Sequence, residues 1–336
     1  MSYQQHERST VRVSTLGTST ISFIFVPHLS TSTMQLTIQN LSKTYGNGVK
    51  ALDNVSLTIP TGMFGLLGPN GAGKSTLMRI LATLQEADSG SAMLDSSGTE
   101  AGMTIDILNN KEAVRKVLGY LPQEFGVYPH VSAYQMLEHI ALLKGVLNGK
   151  ERKELVEALL QKVNLWEHRK RRIAGFSGGM KQRFGIAQSL IGEPKLIIVD
   201  EPTAGLDPGE RNRFYNLLTE IGENVVVILS THIVQDVQEL CKNMAIINKG
   251  KLLFAGAPND ALYEIDGRVW ERTIEKAELE MYSGKYHVIS NKLVAGKPVI
   301  HVLYDAQLDG FTRTAPTLED VFFSKIMAHI ETPVVA

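Results

Sequence analysis

A glycine-rich stretch, GPNGAGKST at Gly68–Thr76, constrains the fold of this chain more than any other feature. It follows the apolar run MFGLL and precedes a helical pattern near Lys74 to Leu84. The spacing of its glycines, lysine and hydroxyl residues matches a phosphate-binding loop, and this motif requires a place between a strand and a helix. The pattern predicts an α/β chain that binds a polyphosphate here; an ordinary glycine-rich turn is the alternative.

Four apolar runs each end in polar residues that are candidates for one binding site. MFGLL runs into the glycine-rich loop, and the runs VLGYL, LIIV and VVVIL lead to Gln123, to Asp200 and Glu201, and to His232. Short strands that alternate with helical patterns indicate a largely parallel central sheet. Because ligands bind beyond the carboxyl ends of the strands in such a sheet, we expect these strand ends to converge.

The glycine-rich loop offers the groups that bind a polyphosphate. Its glycines let the backbone wrap around the phosphates, and the start of the following helix adds amides and a positive dipole end. Lys74 is expected to bridge the β- and γ-phosphates, and the Ser75 hydroxyl to coordinate Mg²⁺. The candidate phosphate-binding residues are Gly68, Pro69, Asn70, Gly71, Ala72, Gly73, Lys74, Ser75 and Thr76.

The polar residues at the other three strand ends suit the hydrolysis of a phosphate bond. Asp200 is expected to hold Mg²⁺ through water, and Glu201 to orient and polarise the attacking water as a general base. His232 is expected to contact the γ-phosphate, and Gln123 to reach the metal and the attacking water. Taken alone, each has an ordinary interpretation: the acidic pair as a solvated loop, His232 as a surface histidine and Gln123 as a loop glutamine without a special role.

Composition describes an ordinary globular protein. The 336 residues, 43% of them hydrophobic, suffice for one sizeable domain and a smaller one. The single cysteine, Cys241, excludes an internal disulfide, fits a reducing compartment and is expected to be a packed helix residue. A formal net charge of -1 gives no general attraction to nucleic acid, so no such partner is expected.

The longest apolar runs, Ile21 to Val26 and Val225 to Leu229, fall far below the roughly 18 residues of a membrane-spanning helix. If the protein works at a membrane, we therefore expect a partner to do the spanning.

A second helix start, in FSGGMKQR at Phe176 to Arg183, is another candidate anion site. Ser177 can cap this helix, and Gly178 and Gly179 permit close approach to exposed backbone amides. A simple capped helix start is the alternative. The chain thus has two candidate phosphate sites, far apart in sequence.

Together these motifs resemble the nucleotide-binding domain of the ATP-binding cassette (ABC) family, over about Met34 to Glu264. FSGGM is similar to the family's signature motif, although Phe176 and Met180 replace the commonest Leu and Gln. The segment Ala204 to Asp207 resembles the loop that follows the catalytic glutamate. Tyr45 resembles the aromatic residue that stacks on adenine. The motifs also occur in the order typical of the family.

The resemblance implies an α/β P-loop NTPase fold of the ABC-cassette type. Such a fold has a mixed sheet core, a helical signature subdomain and, in this chain, a small C-terminal α+β extension. ATP is the implied substrate, used with Mg²⁺. The implied assembly is a head-to-tail homodimer, or a pair with a related ATPase chain, with two shared ATP sites. In it, Ser177, Gly178 and Gly179 of one chain close over the γ-phosphate of ATP held by the other.

The resemblance also implies a transmembrane partner. Gln123 falls in the loop that couples to the membrane subunit, and the surface around Tyr128 to Tyr134 would face transmembrane permease subunits. The expected location is therefore peripheral, on the cytoplasmic face of the cell membrane.

Three segments are predicted. Residues 1–33, rich in Ser and Thr, are expected to be a disordered tail or an unused upstream start. Residues 34–265 form the predicted nucleotide-binding domain, with its helical subdomain at about 124–180, and residues 266–336 the predicted accessory domain. Amphipathic helices are predicted at Ser132 to Lys144 and Lys150 to Val163.

The predicted accessory domain has strand-like runs at Tyr286 to Leu293 and Pro298 to Tyr304. A final helix is predicted from Thr317, where TLED forms a capping-box pattern. TLEDVFF resembles the end of single-cassette ABC ATPases that pair with exporter-type membrane subunits. The resemblance therefore favours an ATP-hydrolysing subunit that powers an exporter.

Two other functions stay open. A soluble ABC ATPase acting on ribosomes or DNA would usually carry tandem cassettes or a long coiled coil, and this chain has one cassette and no sustained heptads. If the protein were a P-loop kinase or GTPase, the match of the signature segment, Tyr45 and His232 to the ABC family would be a coincidence.

Overall fold

The computed structural model describes residues 33–97, 102–123, 126, 130–203 and 205–331. Residues 1–32 of the predicted tail 1–33, residues 128 and 129 of the predicted permease-facing surface, and Ala204 lie outside these ranges. Across the described ranges, no helix combines the length and the apolar character needed to cross a membrane.

The strands of the described residues are β1 (Thr33–Thr44), β2 (Lys50–Pro60), β3 (Gly62–Leu67), β4 (Ser89–Ser97), β5 (Thr104–Asp106), β6 (Leu118–Leu121), β7 (Leu196–Asp200), β8 (Val226–Thr231), β9 (Asn243–Asn248), β10 (Lys251–Gly256), β11 (Val269–Thr273), β12 (Val288–Val294), β13 (Lys297–Leu303) and β14 (Thr312–Arg313). The α-helices are α1 (Lys74–Leu81), α2 (Lys111–Val117), α3 (Ala133–Leu143), α4 (Gly149–Lys162), α5 (Gly178–Ser189), α6 (Pro208–Ile221), α7 (Val234–Leu240), α8 (Pro258–Tyr263), α9 (Leu279–Lys285) and α10 (Leu318–Glu331). Short 3-10 turns lie at Trp166–His168, Ile173–Gly175 and Lys276–Glu278.

The centre of the fold is a six-stranded sheet in the order β10-β9-β3-β8-β7-β6. Its neighbouring strands are parallel except for β9 and β10, which are antiparallel. The predicted largely parallel sheet is therefore confirmed, and the antiparallel edge strand makes it mixed. Because β3, β8, β7 and β6 lie side by side, the four polar strand ends share one edge of the sheet.

Both faces of this central sheet are buried, which explains why its strands are continuous apolar runs. In β7, Leu196 and Ile198 pack into one core, and Ile197 and Val199 pack into the core on the opposite face. The first core also contains side chains of α1 and of a four-stranded antiparallel sheet, β2-β1-β4-β5. The second core contains side chains of α3 to α7. The sheet is thus held between two layers, which fixes the positions of its strand ends.

The helix after the glycine-rich loop is shorter than predicted, because α1 ends at Leu81 rather than near Leu84. Thr83 adopts a positive φ of 61°, its amide donates to Ile80 O at 3.0 Å, and the Leu84 amide donates to Arg79 O at 2.9 Å. This pair of bonds is a Schellman closure, which usually places a glycine where Thr83 stands. Without that glycine the sequence lacks the usual stop signal, so the predicted end was wrong.

The helical subdomain contains the two predicted amphipathic helices. Ser132 caps α3, with Oγ accepting from the Gln135 amide at 3.3 Å. The apolar side of the second helix faces the core. Leu155 is partly buried against that core, and the other apolar residues on this side are buried, namely Val156, Leu159 and Leu160 of α4 and Val163 just after it.

A separate antiparallel sheet, β12-β13-β11-β14, lies in the C-terminal part of the chain. The predicted capping box of the last helix is present, since the Asp320 amide donates to Thr317 Oγ1 at 3.2 Å and the Thr317 amide donates to Asp320 Oδ2 at 2.8 Å. In α10, Leu318, Val321 and Phe322 pack into the same core as α3 to α7. This helix therefore joins the C-terminal sheet to the cassette, and the predicted division into segments stays a prediction.

Candidate nucleotide site

The side chains that follow four parallel strands meet at the carboxylate of Glu201. Gln123, after β6, donates from Nε2 to Glu201 Oε2 at 3.1 Å. His232, after β8, places Nδ1 3.2 Å from Glu201 Oε1. Lys74, the first residue of α1 after the loop that follows β3, places Nζ 3.6 Å from the same oxygen. The expected convergence is present, and both carboxylate oxygens have partners that define their orientation.

The backbone of Glu201 is in the left-handed region, with φ at 47°. This conformation is sparsely populated by residues other than glycine and persists where the surroundings determine it. Here the Glu201 amide donates to Ser230 O at 2.8 Å, which ties the end of β7 to the end of β8. The neighbouring strand therefore helps to set the direction in which Glu201 leaves the sheet.

The glycine-rich loop curls around the amino group of its lysine. Lys74 is buried, and Nζ donates to Gly68 O at 2.7 Å and to Pro69 O at 3.2 Å. Burial lowers the pKa of Lys74, although the nearby Glu201 carboxylate opposes that change. At Gly73, φ is 109° and an added Cβ would lie 2.4 Å from Ala51 O. Only glycine fits this position, so the loop conformation depends on it.

An open cavity of about 630 Å³ lies over this loop, within the size range of small-molecule pockets. Its described lining comes from the glycine-rich loop, the β1–β2 turn and three strand ends. The lining residues are Tyr45, Val49, Lys50, Ala51, Asn70, Gly71, Ala72, Gly73, Lys74, Ser75, Thr76, Gln123, Glu201 and Lys249. Two sequence-predicted residues, Gly68 and Pro69, contribute the carbonyls that hold Lys74 instead.

Tyr45 forms part of the cavity wall and is 38% exposed. Its hydroxyl lies 3.0 Å from Thr76 Oγ1 and donates to Gln85 Oε1 at 3.3 Å. The hydrogen bond with Thr76 lowers the pKa of Tyr45, against the effect of burial. These bonds anchor the ring beside the glycine-rich loop, where it is available to a flat ligand.

Asp200, the last residue of β7, has an unsatisfied carboxylate oxygen. The side chain is 6% exposed, and burial raises its pKa against the opposing effect of the Ser230 hydroxyl; Oδ1 makes no hydrogen bond of standard geometry with the described residues. A buried polar atom without a partner needs an explanation, and a cation with its water shell is one. Carboxylate, hydroxyl and amide oxygens suit Mg²⁺. Asp200, Ser75 and Gln123 therefore fit this ion chemically.

Lys249, which the sequence patterns above did not identify, also lines the cavity. It directly follows β9, the other parallel neighbour of β3, and the amide of the next residue, Gly250, donates to Ala72 O at 2.9 Å. The run AIIN before Lys249 is a fifth apolar run with a polar end. Applying the strand-end rule to this run would have identified Lys249.

The FSGGM segment does not reach this cavity. Ser177 caps α5 as predicted, accepting from the Met180 amide at 3.2 Å. Ser177 and Gly178 are exposed, whereas Gly179 packs on Glu210, where an added Cβ would lie 2.5 Å from Oε2. Among the described residues that line the cavity, none belongs to this triplet. The structure therefore places Ser177 and Gly178 at the surface and Gly179 buried beside Glu210, all three apart from the convergent site of their own chain.

Comparisons with known proteins agree with this architecture. A family model described as ABC transporter matches residues 52–204. The chain is 33% identical over 305 residues to the probable multidrug ABC transporter ATP-binding protein YbhF of Escherichia coli, covering 85% of this chain and 51% of that protein. It is 32% identical over 310 residues to the uncharacterized ABC transporter ATP-binding protein YxlF of Bacillus subtilis, covering 87% of this chain and 100% of that protein.

A solved structure described as the ATP-binding subunit of an ABC transporter is similar in fold. The TM-score is 0.59 at 27% identity, and the match covers 68% of this chain and 92% of that one. The chain thus spans about half the length of the E. coli relative and the whole of the B. subtilis one. The chain belongs to the ABC transporter family, as one of its ATP-binding proteins.

Proposed function

We propose that this chain is the subunit that powers a membrane transporter by binding and hydrolysing Mg-ATP at the cavity over Gly68–Thr76. The observation that carries the proposal is the meeting of Lys74, Gln123 and His232 at the carboxylate of Glu201, beside the phosphate-binding loop. In an ABC cassette, this arrangement supplies a cation, a general base and two polar groups at the terminal phosphate.

Each side chain has a separate part in the proposed reaction. The backbone amides of the glycine-rich loop and Lys74 bind the phosphates, and Tyr45 stacks on the adenine. Glu201 accepts a proton from a water molecule whose oxygen attacks the γ-phosphorus in line. The bond from that phosphorus to the bridging oxygen of ADP breaks, so ADP and inorganic phosphate leave. His232 contacts the γ-phosphate, and Gln123 helps to orient the water.

Mg²⁺, when bound, would neutralise charge that develops on the phosphates. Ser75, Asp200 through water, and Gln123 would hold it. The buried, unpartnered Oδ1 of Asp200 supports this assignment.

A second copy of the chain, or a related ATPase chain, would complete the site. Ser177 and Gly178 are exposed at the capped start of α5 and are not part of the cavity of their own chain. Helix starts bind anions through free amides and the helix dipole. In a two-fold, head-to-tail dimer this triplet would meet the γ-phosphate held by the other copy, and each copy would contribute to both ATP sites.

The proposed transport direction is export, with permease subunits as partners and a peripheral location on the cytoplasmic face of the membrane. The name of the E. coli relative, a probable multidrug ABC transporter ATP-binding protein, supports this direction. The exporter-like TLEDVFF segment is the start of α10, which packs on the cassette core.

Phosphate release from Mg-ATP by the full chain tests the catalytic part. We expect steady turnover without any phosphorylated acceptor, and a fall in kcat of about 100-fold or more in Glu201→Gln, since a general base contributes roughly 10²- to 10⁴-fold. ATP binding should be retained, because the phosphate-binding loop is unchanged. Equal turnover in the variant would contradict the role of Glu201. A competing GTP series would identify the preferred nucleotide.

Co-purification from the native host tests the transport part. The tagged chain, extracted with mild detergent, should carry a stoichiometric membrane protein with several spanning helices, identified by mass spectrometry. Recovery of ribosomal or DNA-repair proteins instead would leave the ATPase proposal standing and would overturn the transport proposal.

A further inference from the structure

A buried carboxylate behind the site connects the two segments that carry Glu201 and His232. Asp236, in the first turn of α7, is fully buried. Its Oδ2 accepts hydrogen bonds from the hydroxyls of Thr203, at 2.6 Å, and Thr231, at 3.0 Å. Its Oδ1 accepts from the hydroxyl of Tyr215 on α6. One side chain therefore holds together the segment after β7, the end of β8 and the helix α6.

The two threonines lie next to the residues that are proposed to act on ATP. Thr203 is two positions after Glu201, and Thr231 directly precedes His232. Thr231 Oγ1 also accepts from the Ile233 amide at 2.9 Å, so its hydroxyl fixes the backbone on both sides of His232. Through the threonines, a single carboxylate oxygen determines the positions of both segments that form the Glu201–His232 contact.

The donors and acceptors of this cluster match. Thr203, Thr231 and Tyr215 are buried, and each hydroxyl has one proton to donate, whereas an ionised carboxylate only accepts. Burial raises the pKa of Tyr215, and the hydrogen bond to Asp236 raises it further, so the phenol stays a donor. An asparagine at position 236 would replace one acceptor oxygen with a donor, leaving at least one buried hydroxyl without its partner.

We propose that Asp236 is a positioning residue, which holds Glu201 and His232 in their hydrolytic arrangement. The left-handed backbone at Glu201 makes such support necessary, because that conformation is stable only where its surroundings impose it. This inference rests on the proposed function, since it assigns Asp236 to the same ATPase reaction. Asp236 is not one of the residues that line the cavity, and its hydrogen bonds described above go to Thr203, Thr231 and Tyr215 rather than to the Glu201 side chain.

The test compares Asp236→Asn with the wild-type full chain in steady-state hydrolysis of Mg-ATP. We expect kcat to fall about 10- to 100-fold, because small misplacements of reacting groups have costs of that order. KM should change little, since the groups that bind ATP lie on other segments. The fraction of chains that bind ATP, measured by titration, should stay near that of the wild type. A merely structural role would instead lower that fraction and the activity in parallel.

A second pair of variants keeps the test decisive if Asp236→Asn does not fold. Thr203→Val removes the hydroxyl with little change of shape and should lower kcat, whereas Thr203→Ser keeps the donor and should restore most of it. Ser324→Ala is the matched control, because it removes another buried hydroxyl, bonded to Val321 O at 2.9 Å in α10, and should leave kcat unchanged.

The failures of the two proposals are distinguishable. An active wild type with unchanged kcat in Asp236→Asn, or equal kcat in Thr203→Val and Thr203→Ser, would overturn the positioning role alone. No turnover in the wild-type chain would overturn the proposed function, and the positioning role with it.

Discussion

His232 Nδ1 lies 3.2 Å from Oε1 of Glu201, although the two residues belong to separate strand ends, those of β8 and β7. The contact follows from the parallel register of these strands, in which Asp200 pairs with Ser230. It places an imidazole ring against the proposed general base. The geometry of the sheet therefore brings together two residues of the proposed catalytic site that are 31 positions apart in the sequence.

Lys74→Ala should weaken ATP binding by about 10- to 100-fold, because hydrogen bonds from a charged donor contribute roughly 1.5–3 kcal/mol. Isothermal titration with ATP, in EDTA and in Mg²⁺, measures the effect. Lys150→Ala is a suitable control, since the Lys150 side chain is 86% exposed and remote in sequence from the loop. An unchanged Kd in Lys74→Ala would show that ATP does not use this loop.

Stability should depend on pH through the buried histidine of the C-terminal sheet. His301 Nδ1 lies 2.9 Å from Asp320 Oδ1, and Nε2 lies 3.2 Å from Glu271 Oε2. The hydrogen bond to Asp320 raises the pKa of His301, although burial opposes it. A histidine whose pKa is higher in the folded than in the unfolded state stabilises the fold through its charged form. This contribution is complete below the unfolded pKa of about 6.5, and it is lost as pH rises through the higher folded pKa.

The corresponding variant is His301→Gln. Its Tm should fall below that of the wild type by more at pH 6 than at pH 9. The difference between the two losses should correspond to roughly 1 kcal/mol or more in the free energy of unfolding. Thermal unfolding at the two pH values measures this difference. The exposed His139 offers a control, because His139→Gln should give no such dependence. An equal loss at both pH values would contradict a charged His301.

Cys241 should be unreactive in the folded protein. It is 7% exposed, and burial strongly raises the pKa of its thiol, so the reactive thiolate is scarce. We expect negligible reaction of the native protein with a thiol reagent such as DTNB at pH 8. After unfolding in guanidinium chloride, one equivalent of thionitrobenzoate per chain should be released. Rapid labelling of native protein would mean that the segment between α7 and β9 opens readily.

The sequence predicted the central sheet and the convergent site because both depend on local patterns. Strand runs such as LIIV have both faces buried, and their polar ends must share one edge of a parallel sheet. The glycine-rich loop is similarly local, since its turn and the following helix start are coded within Gly68–Thr76. These features required no knowledge of which helices pack on the sheet.

The features that sequence patterns did not reveal depend on contacts between distant segments. Asp236 has the pattern of an ordinary acidic residue in a first helical turn, and only the packing of α6 and the segment after β7 buries it. Cys241 follows α7 rather than lying within it, because α7 ends at Leu240. The two-residue strand β14 forms only because Thr312 and Arg313 pair with β11. A single sequence contains no periodic signal for such pairing.

In the proposed assembly two chains share each ATP site, and the oligomeric state of Glu201→Gln is the sharpest test of this arrangement. This variant should bind ATP without hydrolysing it, so the closed state should accumulate. Light scattering coupled to size-exclusion chromatography should show a monomer without nucleotide and a dimer with Mg-ATP. The dimer should be lost when Ser177→Arg is added, because a bulky side chain would block the exposed start of α5. A variant that binds ATP yet stays monomeric would contradict the shared site.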